Sequence, residues 1–158
     1  MKQDIEEKFG NRVRVRVCGL CWDDDRLLMV NHQGLHANNF WSPPGGGVEF
    51  GQSATDALMR EIGEETGLTV RVAHLQFACE YVHHPLHAVE LFFFTPKTGG
   101  SLVKGSDPEM EAGTQIIKEV KFLSWPEIEA IPPSEKHGIF SFCRQADDLK
   151  KLTGFFRI

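Results

Sequence analysis

The chain has 158 residues and a formal net charge of -5, enough length for one domain with a real core. Its acidic balance excludes a sequence-independent nucleic-acid binder, whose affinity comes from basic side chains on phosphates. No apolar run reaches bilayer-spanning length, and the charged start MKQDIEEKFG lacks the apolar stretch of a secretory signal, so the expectation is a single domain over residues 1–158 in the cytoplasm.

Residues 12–22 alternate charged and apolar side chains, as a half-buried strand does, and after the turn-like DDD the run RLLMVN reads as its hairpin neighbour. Cys18 and Cys21 fall inside this strand. Their odd spacing sends them to opposite sheet faces, and no second CxxC or HxxxH completes a zinc site. With Cys79 and Cys143 they are too few and too scattered for a disulfide framework, so a reduced compartment fits.

The segment NHQGLHANNFWSPPGGG is rich in Asn, Gly and Pro and is expected to be a long exposed loop. Residues 53–66 read as a helix, with Ser53 at the N-cap, Asp56 as its capping-box partner and Gly67 just past the end. TVRVAHLQFACEYVHH and HAVELFFFT read as two long strands broken near Pro85, with LFFFT in the sheet core. EVKFLSW is a further strand, PEIEAI a short helix, and Ser134 to Leu152 a terminal helix. The sum is α/β, a mixed sheet with helices on both faces.

The 53–66 helix carries the chemistry. At about 100° per residue, Glu61, Glu64 and Glu65 project within an arc of roughly 100°, while Leu58, Met59 and Ile62 turn to a neighbouring flank and dock the helix on the sheet. Like charges on one face repel, and a hard divalent cation answers that repulsion because magnesium and manganese take oxygen ligands. A merely solvated acidic face is the alternative reading. The preceding PPGGGVEFG is a glycine-rich turn that brings backbone close to a ligand.

These residues resemble the Nudix hydrolases. The family's box is Gly, five residues, Glu, seven residues, Arg-Glu-apolar, one residue, Glu-Glu, one residue, Gly-apolar. Here it runs Gly46, Gln52, Arg60-Glu61-Ile62, Glu64-Glu65 and Gly67-Leu68 with every spacing kept, and Gln52 stands in place of the first glutamate. RLLMVN, FWSPPGGGVE and EVKFLSWPEI resemble the flanking strands. The resemblance implies an α/β/α sandwich with a mixed β-sheet between helices, and hydrolysis of a nucleoside diphosphate linked to another group. It implies magnesium or manganese held by Glu61, Glu64 and Glu65 with a carbonyl of Gly45 or Gly46, carboxylates oriented by Arg60, and water oriented or deprotonated by Glu61 or Glu65. A late-loop acid often serves as base in this family, and GSDPEMEAGTQ offers Glu109 and Glu111. The expected partner is a small-molecule nucleotide, with no nucleic-acid polymer and no membrane; a homodimer is left open.

Gln52 keeps the reach of a glutamate and loses its charge, which predicts a weakened surround to the metal face, and a domain that binds a nucleotide without hydrolysing it is the alternative. His32, His36, Asn38, Asn39, Phe40 and Trp41 are candidates for a nucleotide pocket, although packing is the preferred role for Trp41. His83, His84 and His87 read as a polar turn. Some family members carry a proline after the box associated with ADP-ribose, or a tyrosine associated with dinucleoside polyphosphates; Pro85 and Tyr81 leave both open.

Overall fold

The computed structural model describes residues 2–33, 38–105 and 117–158. Helix α1 (Lys2–Phe9) leads into strand β1 (Val13–Leu20), which is followed by β2 (Trp22–Asp23) and β3 (Arg26–His32). Strands β4 (Phe40–Ser42) and β5 (Gly45–Gly47) precede helix α2 (Ala54–Thr66), and β6 (Leu68–Val70), β7 (His74–His83), β8 (Leu86–Phe94) and β9 (Lys97–Gly100) come next. The chain resumes in β10 (Ile117–Leu123) and α3 (Trp125–Ala130), makes 3-10 turns at Pro133–Glu135 and Gly138–Phe142, and ends in α4 (Ala146–Lys151) and β11 (Gly154–Arg157).

The principal sheet has the order β11-β7-β8-β1-β5, and a second sheet runs β10-β3-β2 with β4 also on β3. In the principal sheet β1 lies parallel to β8 and β11 parallel to β7, while β7–β8 and β1–β5 are antiparallel, so the sheet is mixed. The pleat sends neighbours to opposite faces. Val17 packs with Ala57, Leu58 and Ile62 of α2, whereas Cys18 packs with Ile128, Ile139, Phe140 and Leu149 of the C-terminal segments. Helices therefore cover both sides, the expected α/β/α arrangement. Cys18 and Cys21 join the two different clusters, and all four cysteines are free thiols.

Several local expectations are corrected. The 12–22 strand breaks at Cys21: β1 stays in the principal sheet, and only β2 forms the hairpin with β3. The stretch read as a long loop contains β4 and β5, because β3 and β1 offer them edges to pair with. The single strand expected over TVRVAHLQFACEYVHH is divided between β6, which pairs with β9, and β7. The expected terminal helix is replaced by 3-10 turns, α4 and β11. The helix is interrupted at Lys136, His137 and Cys143, whose backbones are extended on either side of the Gly138–Phe142 turn. The β7–β8 turn at His84–Pro85 is as expected, and Phe92 and Phe93 are core. Among the described residues no helix is long and apolar enough to cross a membrane.

Candidate active site

Helix α2 is set by its ends. Ser53 Oγ accepts from the Asp56 amide at 3.1 Å, and Gly67 closes the helix in the left-handed region at φ 74°. Thr66 Oγ1 donates to Ile62 O and accepts from Leu68 N, and the amides of Val103 and Gly105 donate to the carbonyls of Thr66 and Glu65. The C-terminal turn is thus tied down by the segment after β9. Leu58 and Ile62 are fully buried, each worth about 1.5–3 kcal/mol of apolar burial, which fixes the helix's rotation. Met59 is not part of that stripe; it is exposed, and Ala57 takes the inward position.

That rotation divides the three glutamates. Glu61 and Glu65 are only 3% exposed, whereas the Glu64 side chain is one-third exposed and ion-paired to Arg60 at 3.0 Å. Arg60 reaches Glu61 Oε1 at 3.1 Å with its other terminal nitrogen, which also donates to Gln52 Oε1 at 3.4 Å. Burial works against the Arg60 charge, but Glu61, Glu64 and Glu49 outweigh it and raise its basicity. Among the described residues no three His, Cys, Asp or Glu side chains converge as a ready metal cage. Glu61 lies against Gly46, Glu65 is buried one turn on, and Glu64 leans to Arg60; one arginine offsets the repulsion of two carboxylates.

Two features of the glycine strand bear on a metal. A Cβ on Gly46 would stand 2.4 Å from Glu61 Cδ and 2.5 and 2.7 Å from its oxygens, so only glycine leaves the carboxylate its place. In the β1–β5 ladder, Gly19 N donates to Pro44 O and Val48 N to Val15 O, and the register sets Val17 opposite Gly46 between them. Antiparallel ladders alternate, so Gly46 is turned to β1. The Gly45 carbonyl is turned to the outer edge, since β5 ends the sheet. The donors gathered here are carboxylate and carbonyl oxygens, a set that fits magnesium or manganese.

The other face of β1 holds residues that the sequence reading passed over. Arg16 Nε lies 3.8 Å from Glu90 Oε2 on β8. Glu90 is buried, receives Cys18 Sγ at 3.5 Å, and meets His137 Nε2 at 3.2 Å. His137 Nδ1 accepts from Ile139 N, which leaves Nε2 as the donor to Glu90. Burial alone would raise the Glu90 pKa, yet His137, Arg16 and Cys18 bring it down to about 2. The signal in the sequence was an acid at an inward position of an otherwise apolar strand.

Trp41 packs on the C-terminal cluster, the role preferred for it, and its carbonyl accepts from His137 N. Phe40 N donates to Asn31 Oδ1, while Lys118 holds Asn38 and Asn39. His87 pairs with Glu80, and Tyr81 lies beside His83. His36, Glu109 and Glu111 lie outside the described residues.

A profile described as the NUDIX domain matches residues 10–142. Among curated proteins, an ADP-ribose pyrophosphatase of Methanocaldococcus jannaschii is 30% identical over 95 residues, 59% of this chain and 56% of that protein. An RNA pyrophosphohydrolase of Brucella ovis is 33% identical over 75 residues, 46% of this chain and 42% of that one, so the chain spans about half the length of the curated relatives it matches. A MutT NUDIX hydrolase from Burkholderia pseudomallei shares the fold at TM-score 0.64 and 20% identity, covering 90% of this chain and all of that one. With the profile running from Gly10 to Phe142 and the box on α2 and β5, the chain belongs to the NUDIX domain family.

Proposed function

We propose that the protein is a divalent-metal-dependent hydrolase that cleaves the diphosphate linkage of a nucleoside diphosphate joined to another group. The observation that carries this is the buried Glu61 carboxylate seated where Gly46 has no Cβ, with Glu65 one turn on and Arg60 beside it. Glu61, Glu64 and Glu65, with the edge-facing carbonyl of Gly45, would hold magnesium or manganese. Bound there, the cation neutralises the diphosphate and makes a water more acidic. Arg60 spaces and orients the carboxylates, and Glu61 or Glu65 orients the attacking water or takes its proton. Glu109 and Glu111 are further candidates for the base, on the segment that follows Gly105, whose amide is anchored on the Glu65 carbonyl.

The names of the matched relatives, an ADP-ribose pyrophosphatase and an RNA pyrophosphohydrolase, suggest ADP-ribose and RNA as the first substrates to try. The test is a product assay on a panel of ADP-ribose, UDP-sugars, dinucleoside polyphosphates, nucleoside triphosphates and 5′-triphosphorylated RNA. Nucleoside monophosphate or released pyrophosphate should appear with magnesium or manganese and stop on chelation. Gln52, neutral beside Arg60, favours the second reading, a domain that binds nucleotide without cleaving it. In that case a ligand raises thermal stability and is recovered intact.

A further inference from the structure

Arg16 is not explained by the fold alone. It stands on β1 opposite Gly47 of the glycine strand and beside Glu90 of β8. Its side chain is 31% exposed. Burial lowers its basicity, but Glu90, Cys18, Glu65 and Glu61 more than restore it, so its charge is felt by the two buried glutamates of α2. Among the described residues the ion pair to Glu90, made through Nε at 3.8 Å, is its contact. A guanidinium carries five N–H donors in a flat fork, and the two terminal nitrogens are not engaged by that pair.

What lies beneath Arg16 is unusually fixed. Glu90 is held by His137 Nε2 and Cys18 Sγ. His137 is held in turn by the Trp41 carbonyl and the Ile139 amide, with its ring against Phe92 at 5.4 Å between centroids. The carboxylate that faces Nε is therefore held in place, and it keeps an anion close to the guanidinium. Two residues earlier on the same face, Arg14 lies over the Phe9 ring at 4.2 Å, and its Nη2 would be 3.1 Å from a Cβ on Gly47. Paired with the anionic Glu90 and with its planar fork unspent, Arg16 suits the two non-bridging oxygens of a phosphate, which Arg binds bidentately.

We propose that Arg16, positioned by the buried Glu90–His137 pair, binds a phosphate of the substrate's diphosphate on the β1 side of the glycine strand. This rests on the hydrolase reading for the identity of the substrate, but not for its test. The probe is methylenediphosphonate, which has no base and no cleavable bridge, titrated calorimetrically with magnesium present. Arg16→Lys keeps a cation for Glu90 and loses the fork; its dissociation constant should rise about 3- to 10-fold. The paired variant Arg16→Met, Glu90→Gln removes the guanidinium without leaving a buried carboxylate uncompensated, and its dissociation constant should rise roughly 10- to 100-fold, the range for hydrogen bonds to a charged group. Circular dichroism confirms the fold of each. Equal affinity in wild type and the folded paired variant overturns the proposal, as does a wild type that does not bind the probe. Arg16-dependent binding without turnover on the nucleotide panel would sink the hydrolase reading and keep this one.

Discussion

Replacing Gly46 by alanine adds a single methyl group at the point where strand and helix meet. The new Cβ would fall 2.4 Å from Glu61 Cδ, whereas carbon atoms in contact rest about 3.5 Å apart. The carboxylate must therefore retreat by about 1 Å. It has no easy route, because Glu61 is 3% exposed and its Oε1 is held by Arg60 at 3.1 Å. Overpacking of this kind costs about 1–3 kcal/mol, so the domain should still fold. A catalytic group displaced by about 1 Å loses on the order of 100-fold in rate. The two assays are urea unfolding and initial rate on the best substrate of the panel, both across a manganese titration. Activity should fall far more than stability does. A Gly46→Ala protein with wild-type metal dependence and rate would show that Glu61 does not need its place beside Gly46, and the reasoning about this junction would fail.

On the same helix Gly63 is exposed, and a Cβ there would come no nearer than 3.9 Å to Leu68 O; Gly63→Ala should stabilise the fold by about 0.5–1 kcal/mol and leave the rate unchanged, read by urea midpoint and initial rate. Gln52→Glu would exchange the long neutral contact at 3.4 Å for an ion pair that draws Arg60 away from Glu61 and Glu64. Half-saturation by magnesium should then fall by up to about 10-fold without a change of preferred substrate, and a rise would mean that the network is built around the amide. Glu90, brought down to about 2 from an ordinary 4.5 chiefly by His137 and Arg16 against its burial, binds its proton less readily folded than unfolded. Its contribution to stability is complete above pH 4.5 and is lost as pH falls towards 2; Glu90→Gln should flatten that limb of a urea-midpoint profile, and an unchanged slope would count against the pairing.

Helix α2 was legible because its determinants are local. Ser53, Gly67 and the spacing of Leu58 and Ile62 lie within one short segment and act through bonds three or four residues long. The separation of the three glutamates was not legible. An arc of roughly 100° spans the boundary between buried and exposed, and it is the docking of Leu58 and Ile62 on the sheet, with Gly46 of β5 against Glu61, that leaves Glu61 and Glu65 inside it and Glu64 outside. Strand β5 itself, three consecutive glycines, has the composition of a turn and becomes a strand because β1 pairs with it. The same holds at the C-terminus. Phe155 and Phe156 form β11 only because Ala78 and Cys79 lie alongside, a partnership that no local pattern encodes. The buried Glu90–His137 pair and the half-buried Arg16 beside it join three distant stretches, and their one local trace is an acid inside an apolar strand.

In the proposed site the α2 carboxylates hold a divalent cation beside the glycine strand. Manganese binding measured by electron paramagnetic resonance tests it without any substrate. Wild-type protein, Glu65→Gln and Glu64→Gln are titrated at one pH, with circular dichroism confirming that each is folded. Wild type should bind manganese specifically, and binding should be at least about tenfold weaker when either carboxylate becomes an amide, about 1.4 kcal/mol of lost affinity. Equal manganese affinity in all three proteins would contradict the proposed site.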